Sequence, residues 1–260
     1  MEILVCVKRV PTVGGAITLT ADRRAIDTKA SGFTISPHEE CAVEEAVRLV
    51  ERFGGSVTVA TLGPAAAEEQ LRACLALGAS AAVLVETEPG LEAGPIATAA
   101  ALHAVAAGSA GPVAEFDLVL LGNEASDTGD YQVGIRLAHL LGWPVATGIK
   151  ALAVDEAGRS ASASRTYRGV LETFALELPC VLTVKEGINL PRYPSLPGRL
   201  RAKRTAITRV PGPSAAAAGE VRMTALRVPD APKKQATVLG QGADAVPALV
   251  DLLAQLGVLS

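Results

Sequence analysis

One stretch of this sequence, residues 122–134, combines the residue types that hold phosphates and sugars. It follows an aliphatic run, precedes a helical pattern, and is rich in small and hydrogen-bonding residues. Its backbone N–H groups could bind a phosphate, and Asp127 or Asp130 could accept a hydrogen bond from a ribose hydroxyl. An ordinary helix start capped by an aspartate explains the same spacing. The stretch matches neither G-x-G-x-x-G nor a Walker A loop, so motif logic alone does not name a nucleotide.

A second candidate site is the turn Ser36-Pro37-His38-Glu39, which precedes another helical pattern. In an open α/β sheet, ligands bind beyond the carboxyl ends of the strands, so this turn and Cys6, near the end of the first aliphatic run, could line one crevice. The turn equally matches a capping box, because Ser36 and Glu39 are three residues apart. His38 is more often a surface or cap residue than a ligand contact, and we expect Cys6 to be a small packed side chain.

The sequence contains none of the usual catalytic or metal-binding motifs. There is no G-x-S-x-G elbow, no H-E-x-x-H motif and no cysteine placed to pair with a histidine. The cysteines are isolated, which argues against a zinc ribbon or an iron–sulfur cluster and favours buried thiols. A nucleotide pocket without acid–base machinery suits binding or electron transfer better than hydrolysis, so we expect no catalytic residue and no metal. The cysteines are Cys6, Cys41, Cys74 and Cys180.

Composition argues against two classes of partner. With 24 basic and 27 acidic residues the formal net charge is −3, so the chain as a whole is not expected to bind nucleic acid. Apolar runs such as 97–107 are shorter than the roughly 20 residues that span a membrane, so no membrane insertion is expected. The N-terminus has neither the basic region nor the cleavage site of a signal peptide, and the cytoplasm is the expected location.

The first half of the chain alternates between two patterns that can position these segments. Short aliphatic runs are typical of strands buried on both faces of a parallel sheet. They lie at 3–7, 57–62, 82–85 and 118–121. Segments with helical spacing lie at 39–53, 65–77, 96–107 and 132–141. This alternation predicts an α/β fold of three layers, in which a mostly parallel sheet carries helices on both faces.

After Pro144 the pattern changes. Short segments separated by turn residues, at 148–154, 160–167, 170–176 and 180–184, predict strands that extend the sheet in the antiparallel direction. From Gly187 the chain is proline-rich and basic, residues 211–220 look like a linker, and residues 245–256 have the pattern of an amphipathic helix. We therefore expect a nucleotide-binding α/β domain over 1–210, and a linker with a C-terminal extension over 211–260.

The block 178–204 carries the most specific signal. It reads LPCVLTVKEGINLPRYPSLPGRLRAKR, whose L-P-x-x-x-T-V, N-x-P-R-Y-P-x-L-P and A-K-basic elements closely resemble the signature of the β subunits of electron-transfer flavoproteins. Residues 122–134 fit the G-x-x-A-x-D…Q-V-G pattern of the same family. Further similar segments lie at 5–11, 44–49 and 62–79, and the resemblance covers roughly residues 3–208.

The resemblance implies a heterodimer, in which an α subunit makes most contacts to a redox-active FAD and this β subunit shields the flavin. The β crevice would hold a second nucleotide, which is AMP in plain carriers and a second FAD in electron-bifurcating relatives. The C-terminal extension would pack on the α subunit. By position, the pocket would be formed by Cys6, Ser36, Pro37, His38, Glu39, Leu62, Asp127, Thr128, Gly129, Asp130, Tyr131, Gln132, Val133, Gly134 and Ile135.

The resemblance also implies that residues 187–204 are a protruding proline-rich recognition loop that docks flavin dehydrogenases of the acyl-CoA dehydrogenase type. Leu196 would be its apolar anchor beside Tyr193, and Arg192 and Arg199 would steer an acidic partner. Its prolines would lower the entropy lost on docking. A crossover packed on its own domain is the alternative. The chain would be an electron carrier rather than an enzyme, passing electrons to a membrane quinone oxidoreductase or another acceptor.

Three positions depart from the family's usual pattern. His38 stands where Asn-Pro-Phe usually places an aromatic residue, and Thr166 replaces the glutamate that often follows Arg165. Arg165 is still expected at the subunit interface near the flavin, without that acidic partner. Tyr131 is unusual in the pocket loop and leaves the choice between AMP and FAD open. A stand-alone nucleotide sensor of the universal-stress type shares the strand–helix alternation, but the glycine-rich ATP loop that it requires is missing.

Overall fold

The computed structural model describes the chain except for residues 13, 15, 16, 30, 89, 90, 92, 113, 114, 222, 230–235, 259 and 260. The chain divides into two units, Met1–Ala225 and Leu226–Ser260. This boundary lies beyond the predicted one at 210, because a final strand and the segment after it pack on the first unit. No helix in the described part of the chain is long and apolar enough to cross a membrane.

A seven-stranded sheet forms the centre of the first unit, and all its pairings are parallel. The strands of the chain are β1 (Glu2–Cys6), β2 (Val10–Pro11), β3 (Phe33–Thr34), β4 (Ser56–Gly63), β5 (Ala81–Glu86), β6 (Leu118–Gly122), β7 (Val145–Ile149), β8 (Ala151–Val154), β9 (Ser160–Tyr167), β10 (Val170–Glu177), β11 (Cys180–Val184) and β12 (Thr208–Pro211). The main sheet has the order β12-β5-β4-β1-β6-β11-β7. Because the strands are parallel, their carboxyl ends meet at one edge, which we call the carboxyl edge.

Helices cover both faces of this sheet. Those of the first unit are α1 (Pro37–Phe53), α2 (Glu68–Leu77), α3 (Pro95–Ala106), α4 (Val133–Leu141) and α5 (Leu196–Arg204), whereas α6 (Val246–Gln255) belongs to the second unit. The aliphatic core between the sheet and α1 and α2 is separate from the core between the sheet and α3 and α4. The central strands β1, β4, β5 and β6 are buried on both faces, as their continuous aliphatic runs predicted. The predicted three-layer α/β class is confirmed.

The antiparallel strands form small separate sheets and do not extend the main one. β8, β9 and β10 make a three-stranded sheet, and β2 pairs with β3. The single strand expected at 148–154 is divided between β7, which joins the main sheet, and β8. β9 buries Ala161 and Ala163 and leaves alternate residues exposed, which is the pattern of a strand covered on one face only. β11 joins the main sheet as a parallel strand.

Residues 187–204, the predicted recognition loop, end in a helix and not in a loop. The helix α5 begins at Leu196, and the Ser195 Oγ accepts a hydrogen bond from the Gly198 N–H at 3.1 Å. Pro197 had argued for a loop, but proline is well tolerated in the first turn of a helix, where its missing N–H is not needed. We call residues 187–204 the recognition segment.

Residues 211–220, predicted as a linker, are held on the first unit. β12 pairs with β5 at the edge of the sheet. The Glu220 carboxylate accepts hydrogen bonds from the N–H groups of Ile96 and Ala97, at 3.3 and 2.6 Å, and so caps α3. A composition rich in Pro, Gly and Ala does not reveal such a cap, because the capped helix lies far away in the sequence.

Candidate functional site

The carboxyl edge brings together most of the residues predicted to form a nucleotide pocket. β1 ends at Cys6 and β6 ends at Gly122, next to the first turn of α1. A β-carbon on Gly122 would lie 2.8 Å from the Glu39 Cγ and 3.2 Å from the His38 Cβ, so glycine is needed for this close approach. Cys6 is buried, which agrees with the expectation of a small packed side chain.

Lys8 joins the end of β1 to the loop that follows β6. Its Nζ lies 2.8 Å from the Asp127 Oδ1 and 3.5 Å from the Thr128 Oγ1. Both partners of the ion pair are partly exposed, so the pair orients the loop more than it stabilises the fold. The sequence does not reveal this ion pair, because its two partners are 119 residues apart in the chain.

His38 connects three elements at the same edge. Its Nδ1 accepts a hydrogen bond from the Glu186 N–H at 2.8 Å, after β11. The hydrogen therefore lies on Nε2, which donates to the Glu124 Oε1 at 3.3 Å in the loop after β6. His38, expected to be a surface or cap residue, lies half-buried in the first turn of α1 and bridges the two loops.

Glu39 is a buried carboxyl group that organises the start of α1. Its two oxygens accept hydrogen bonds from the backbone N–H groups of Lys8 and Ser36, at 3.0 and 2.9 Å. The Ser36 Oγ accepts from the Glu39 N–H, which completes the predicted capping box. Burial raises the pKa of Glu39 to about 8, against the opposing effect of the two backbone hydrogen bonds.

The start of α4 is open to an anion. Its N-cap residue is Gln132, and no side chain caps the helix, so the aspartate cap considered from the sequence is not formed. The first-turn N–H groups of Val133, Gly134 and Ile135 have no partner within the helix and point toward the carboxyl edge. Gly134 allows α4 to approach β11, because a β-carbon there would lie 2.5 Å from the Thr183 Cγ2.

The other predicted pocket residues lie in three different places. Gly129 and Tyr131 have left-handed backbone conformations, with φ of 60° and 57°, and Tyr131 is half-exposed. Asp130 is exposed nearby. Pro37 is the first residue of α1. Leu62, at the end of β4, instead packs against the core under α3 and α4.

Arg165 lies close to this edge and has an acidic partner after all. Its Nε contacts the Glu172 Oε2 at 2.6 Å across the β9–β10 pair, and its Nη1 donates to the Thr147 carbonyl at 2.9 Å. A β-carbon on Gly148 would lie 3.9 Å from the Arg165 Cδ and 3.5 Å from the Asn123 Oδ1, which places Arg165 beside the loop after β6. Arg165 is thus paired within this chain, across the β9–β10 pair.

The recognition segment exposes its apolar side chains. Leu190, Tyr193 and Leu196 are 90%, 95% and 71% exposed. Arg199 is also exposed. The Arg192 guanidinium, in contrast, points inward onto α1, where it pairs with glutamates, so it is not free to steer a partner in this conformation.

The described residues offer no group of three or more His, Cys, Asp or Glu side chains that could hold a metal ion. The four cysteines are free thiols and buried. The uncapped start of α4 and Lys8 nearby suit the binding of an anionic ligand by backbone N–H groups.

Comparison with known proteins places this geometry in a family. Residues 24–215 match the model of the electron transfer flavoprotein domain. The chain is 37% identical over 205 residues to "Electron transfer flavoprotein subunit beta" of Bacillus subtilis (strain 168), covering 78% of this chain and 76% of the relative. It is 34% identical over 242 residues to the beta subunit of Homo sapiens, covering 92% of each. The mitochondrial beta subunit of Oryza sativa subsp. indica is 34% identical over 247 residues, covering 94% of this chain and 95% of the relative. This chain belongs to the electron transfer flavoprotein family, and the relatives it matches are beta subunits.

Proposed function

We propose that the chain is the β subunit of a heterodimeric electron-transfer flavoprotein. It holds a nucleotide at the carboxyl edge, shields an FAD bound mainly by an α subunit, and receives electrons from a flavin dehydrogenase of the acyl-CoA dehydrogenase type. The observation that carries the proposal is the recognition segment, in which Leu190, Tyr193 and Leu196 are exposed while Asn189 and Arg192 are bonded to α1. Such an inversion of the usual surface pattern marks a site of interaction. The comparisons do not favour the universal-stress alternative.

The open start of α4 supports a nucleotide in the crevice. Uncapped first-turn N–H groups and the positive end of the helix dipole favour a phosphate, and Lys8 adds a cation nearby. These donors fit the phosphate of AMP or of FAD. A bound flavin supplies the electron-transfer chemistry, whereas the residues of this chain bind it, orient it and exclude water. The chain carries no acid–base catalytic site of its own in this proposal.

The nucleotide content tests this part of the proposal. The purified heterodimer is denatured, and the released nucleotides are identified and counted. One FAD with one AMP would assign a plain carrier, and two FADs would assign an electron-bifurcating one. A heterodimer that releases a single FAD and nothing else would contradict a nucleotide site in this chain.

Docking of the dehydrogenase is tested at Leu196. Leu196→Ala removes an exposed apolar anchor, and we expect the KM for the reduced dehydrogenase to rise about ten-fold with unchanged flavin content. Leu140→Ala is the control, because Leu140 is an exposed leucine of α4 that lies outside the recognition segment. Equal loss of flavin and of docking in Leu196→Ala would make Leu196 a structural residue.

The exposed apolar side chains of the second unit support the proposal of an α-subunit partner. The helix α6 buries none of its residues, and Val246, Leu249 and Val250 are exposed. We propose that these side chains pack on the α subunit and that Arg165 faces the same subunit near the flavin.

A chain shortened to residues 1–225 should no longer co-purify with the α subunit. A full chain that stays colourless and monomeric beside its α partner would contradict the heterodimer.

A further inference from the structure

Arg192 makes the most extensive side-chain contact between the recognition segment and the rest of the first unit. Its Nε and Nη2 lie 2.8 and 3.1 Å from the two carboxylate oxygens of Glu44, and its Nη1 and Nη2 lie 2.5 and 2.9 Å from those of Glu51. The Arg192 backbone N–H also donates to the Glu44 Oε2 at 3.1 Å. One guanidinium therefore spans two carboxylates that lie seven residues apart on α1.

A second polar residue fixes the segment on the same helix face. The Asn189 Nδ2 donates to the Cys41 carbonyl at 3.0 Å and to the Glu45 Oε2 at 2.8 Å. Glu44 and Glu45 are both buried, although each is a charged residue on a helix surface. Their burial follows from the segment that lies over them. The stretch 189–192 is thus attached to α1 by its polar groups.

This attachment determines which side chains face outward. Leu190 and Tyr193, on either side of the attached Arg192 and Pro191, are almost completely exposed, and Leu196 follows at the start of α5. An unattached chain of this composition could fold its leucines and its tyrosine back onto the sheet domain. The polar attachment prevents that collapse, because burying the apolar side chains would leave Glu44 without its partner.

We propose that Arg192 is a positioning residue, which clamps the recognition segment on α1 and presents Leu190, Tyr193 and Leu196 as a preorganised surface for the dehydrogenase. The inference rests on the proposed docking function and adds the device that makes the surface rigid. A segment ordered before docking loses less conformational entropy on binding than a mobile one. Arg192 contributes to affinity without contacting the partner.

The clamp needs an arginine. The guanidinium presents its N–H donors in a planar fork, which here meets both oxygens of two carboxylates. A lysine ammonium at the same position is a single point charge and could pair with one carboxylate at a time. Arg192→Lys should therefore behave as a partial loss, although it keeps the charge.

The first test measures the clamp without any partner. In the complete protein, Arg192→Met should speed hydrogen exchange of the backbone N–H groups of residues 190, 192 and 193 by about ten-fold or more, because the N–H of residue 192 is itself bonded to Glu44. Glu51→Gln weakens the clamp from its exposed side and cannot leave a buried charge, so it serves where Arg192→Met folds poorly. Arg52→Met is the matched control, since Arg52 is an exposed arginine of α1 that lies over the Phe53 ring and makes no hydrogen bond or ion pair with the described residues of the recognition segment.

The second test measures docking. We expect Arg192→Met and Glu51→Gln to raise the KM for the dehydrogenase about three- to ten-fold, with kcat and flavin content unchanged. Unchanged exchange in both variants, with Leu196→Ala still raising the KM, would overturn the clamp and leave the proposed function standing. An unchanged KM in Leu196→Ala would overturn the docking proposal itself, and the role of Arg192 in docking with it.

Discussion

Gly134 lies directly against Thr183, and a β-carbon on Gly134 would be 2.5 Å from the Thr183 Cγ2. Gly134→Ala should therefore push α4 away from β11 and lower the free energy of unfolding by about 1–3 kcal/mol. Chemical denaturation measures this change. Gly32→Ala is the control, because a β-carbon on Gly32 meets nothing within 4 Å.

The same contact can be tested by rescue. Thr183→Ser removes the Cγ2 but keeps the Oγ, which donates to the Asn123 Oδ1 and accepts from the Gly148 N–H. The double variant Gly134→Ala with Thr183→Ser should recover most of the lost stability, since the two positions are in direct contact. Strictly additive losses would show that α4 is held away from β11 by something else.

The ion pair between Lys8 and Asp127 should affect ligand binding more than folding. Because both side chains are partly exposed, Lys8→Met should lower the free energy of unfolding by less than about 1 kcal/mol. We expect weaker AMP binding by up to about five-fold, measured by calorimetry, since the loop loses its orientation. Asp127→Asn should have the same effect, and the double variant should add little. Fully additive effects of the two substitutions would contradict a shared role.

Glu39 should make the stability depend on pH. Its pKa in the folded protein, about 8, lies above its ordinary value of 4.5, so the folded state holds the proton more tightly than the unfolded state. The stabilisation is complete below pH 4.5 and is lost as the pH rises toward 8, with a slope of at most about 1.4 kcal/mol per pH unit. Denaturation at several pH values measures the slope. Glu39→Gln should remove most of this pH dependence of the free energy of unfolding. Glu40→Gln, which changes the neighbouring partly buried carboxyl group, is the control and should keep most of the pH dependence.

The four cysteines should be unreactive in the folded protein. All are buried, and burial raises the pKa of Cys74 and of Cys180 to about 12, so little thiolate forms near neutral pH. A chromogenic thiol reagent at pH 8 should modify them only on the timescale of unfolding, and should modify all four in denaturant. Rapid modification of the native protein would contradict the packed positions of these side chains.

The central sheet could be predicted because its signals are local. Aliphatic runs such as 57–62 and 118–121 can be buried on both faces only within a covered parallel sheet, and the capping box at Ser36 is complete within four residues. The strands after Pro144 were less predictable. One apolar pattern over 148–154 crosses from β7 into β8, and periodicity does not reveal that these strands join different sheets.

The candidate site could be predicted as a set of segments, but not as a set of contacts. The loop 122–134 and the turn at Ser36 were expected near one another because parallel strands share an edge. The partners of Lys8, His38 and Arg192 come from distant parts of the chain, and no spacing rule links them. Arg192 shows the limit most clearly, since an arginine in a basic proline-rich segment is typical of a free surface charge.

The chain from Glu186 to Arg192 runs along α1 from its first turn to its last. Glu186 meets His38 in the first turn of α1, and Arg192 meets Glu51 in its last. A helix of this length, 17 residues, spans about 25 Å. A redox partner seated at Tyr193, as proposed, would thus lie toward the opposite end of α1 from a nucleotide held at the carboxyl edge. In the proposed function, electrons that enter at Tyr193 would therefore pass to a flavin other than a nucleotide held in the crevice of this chain.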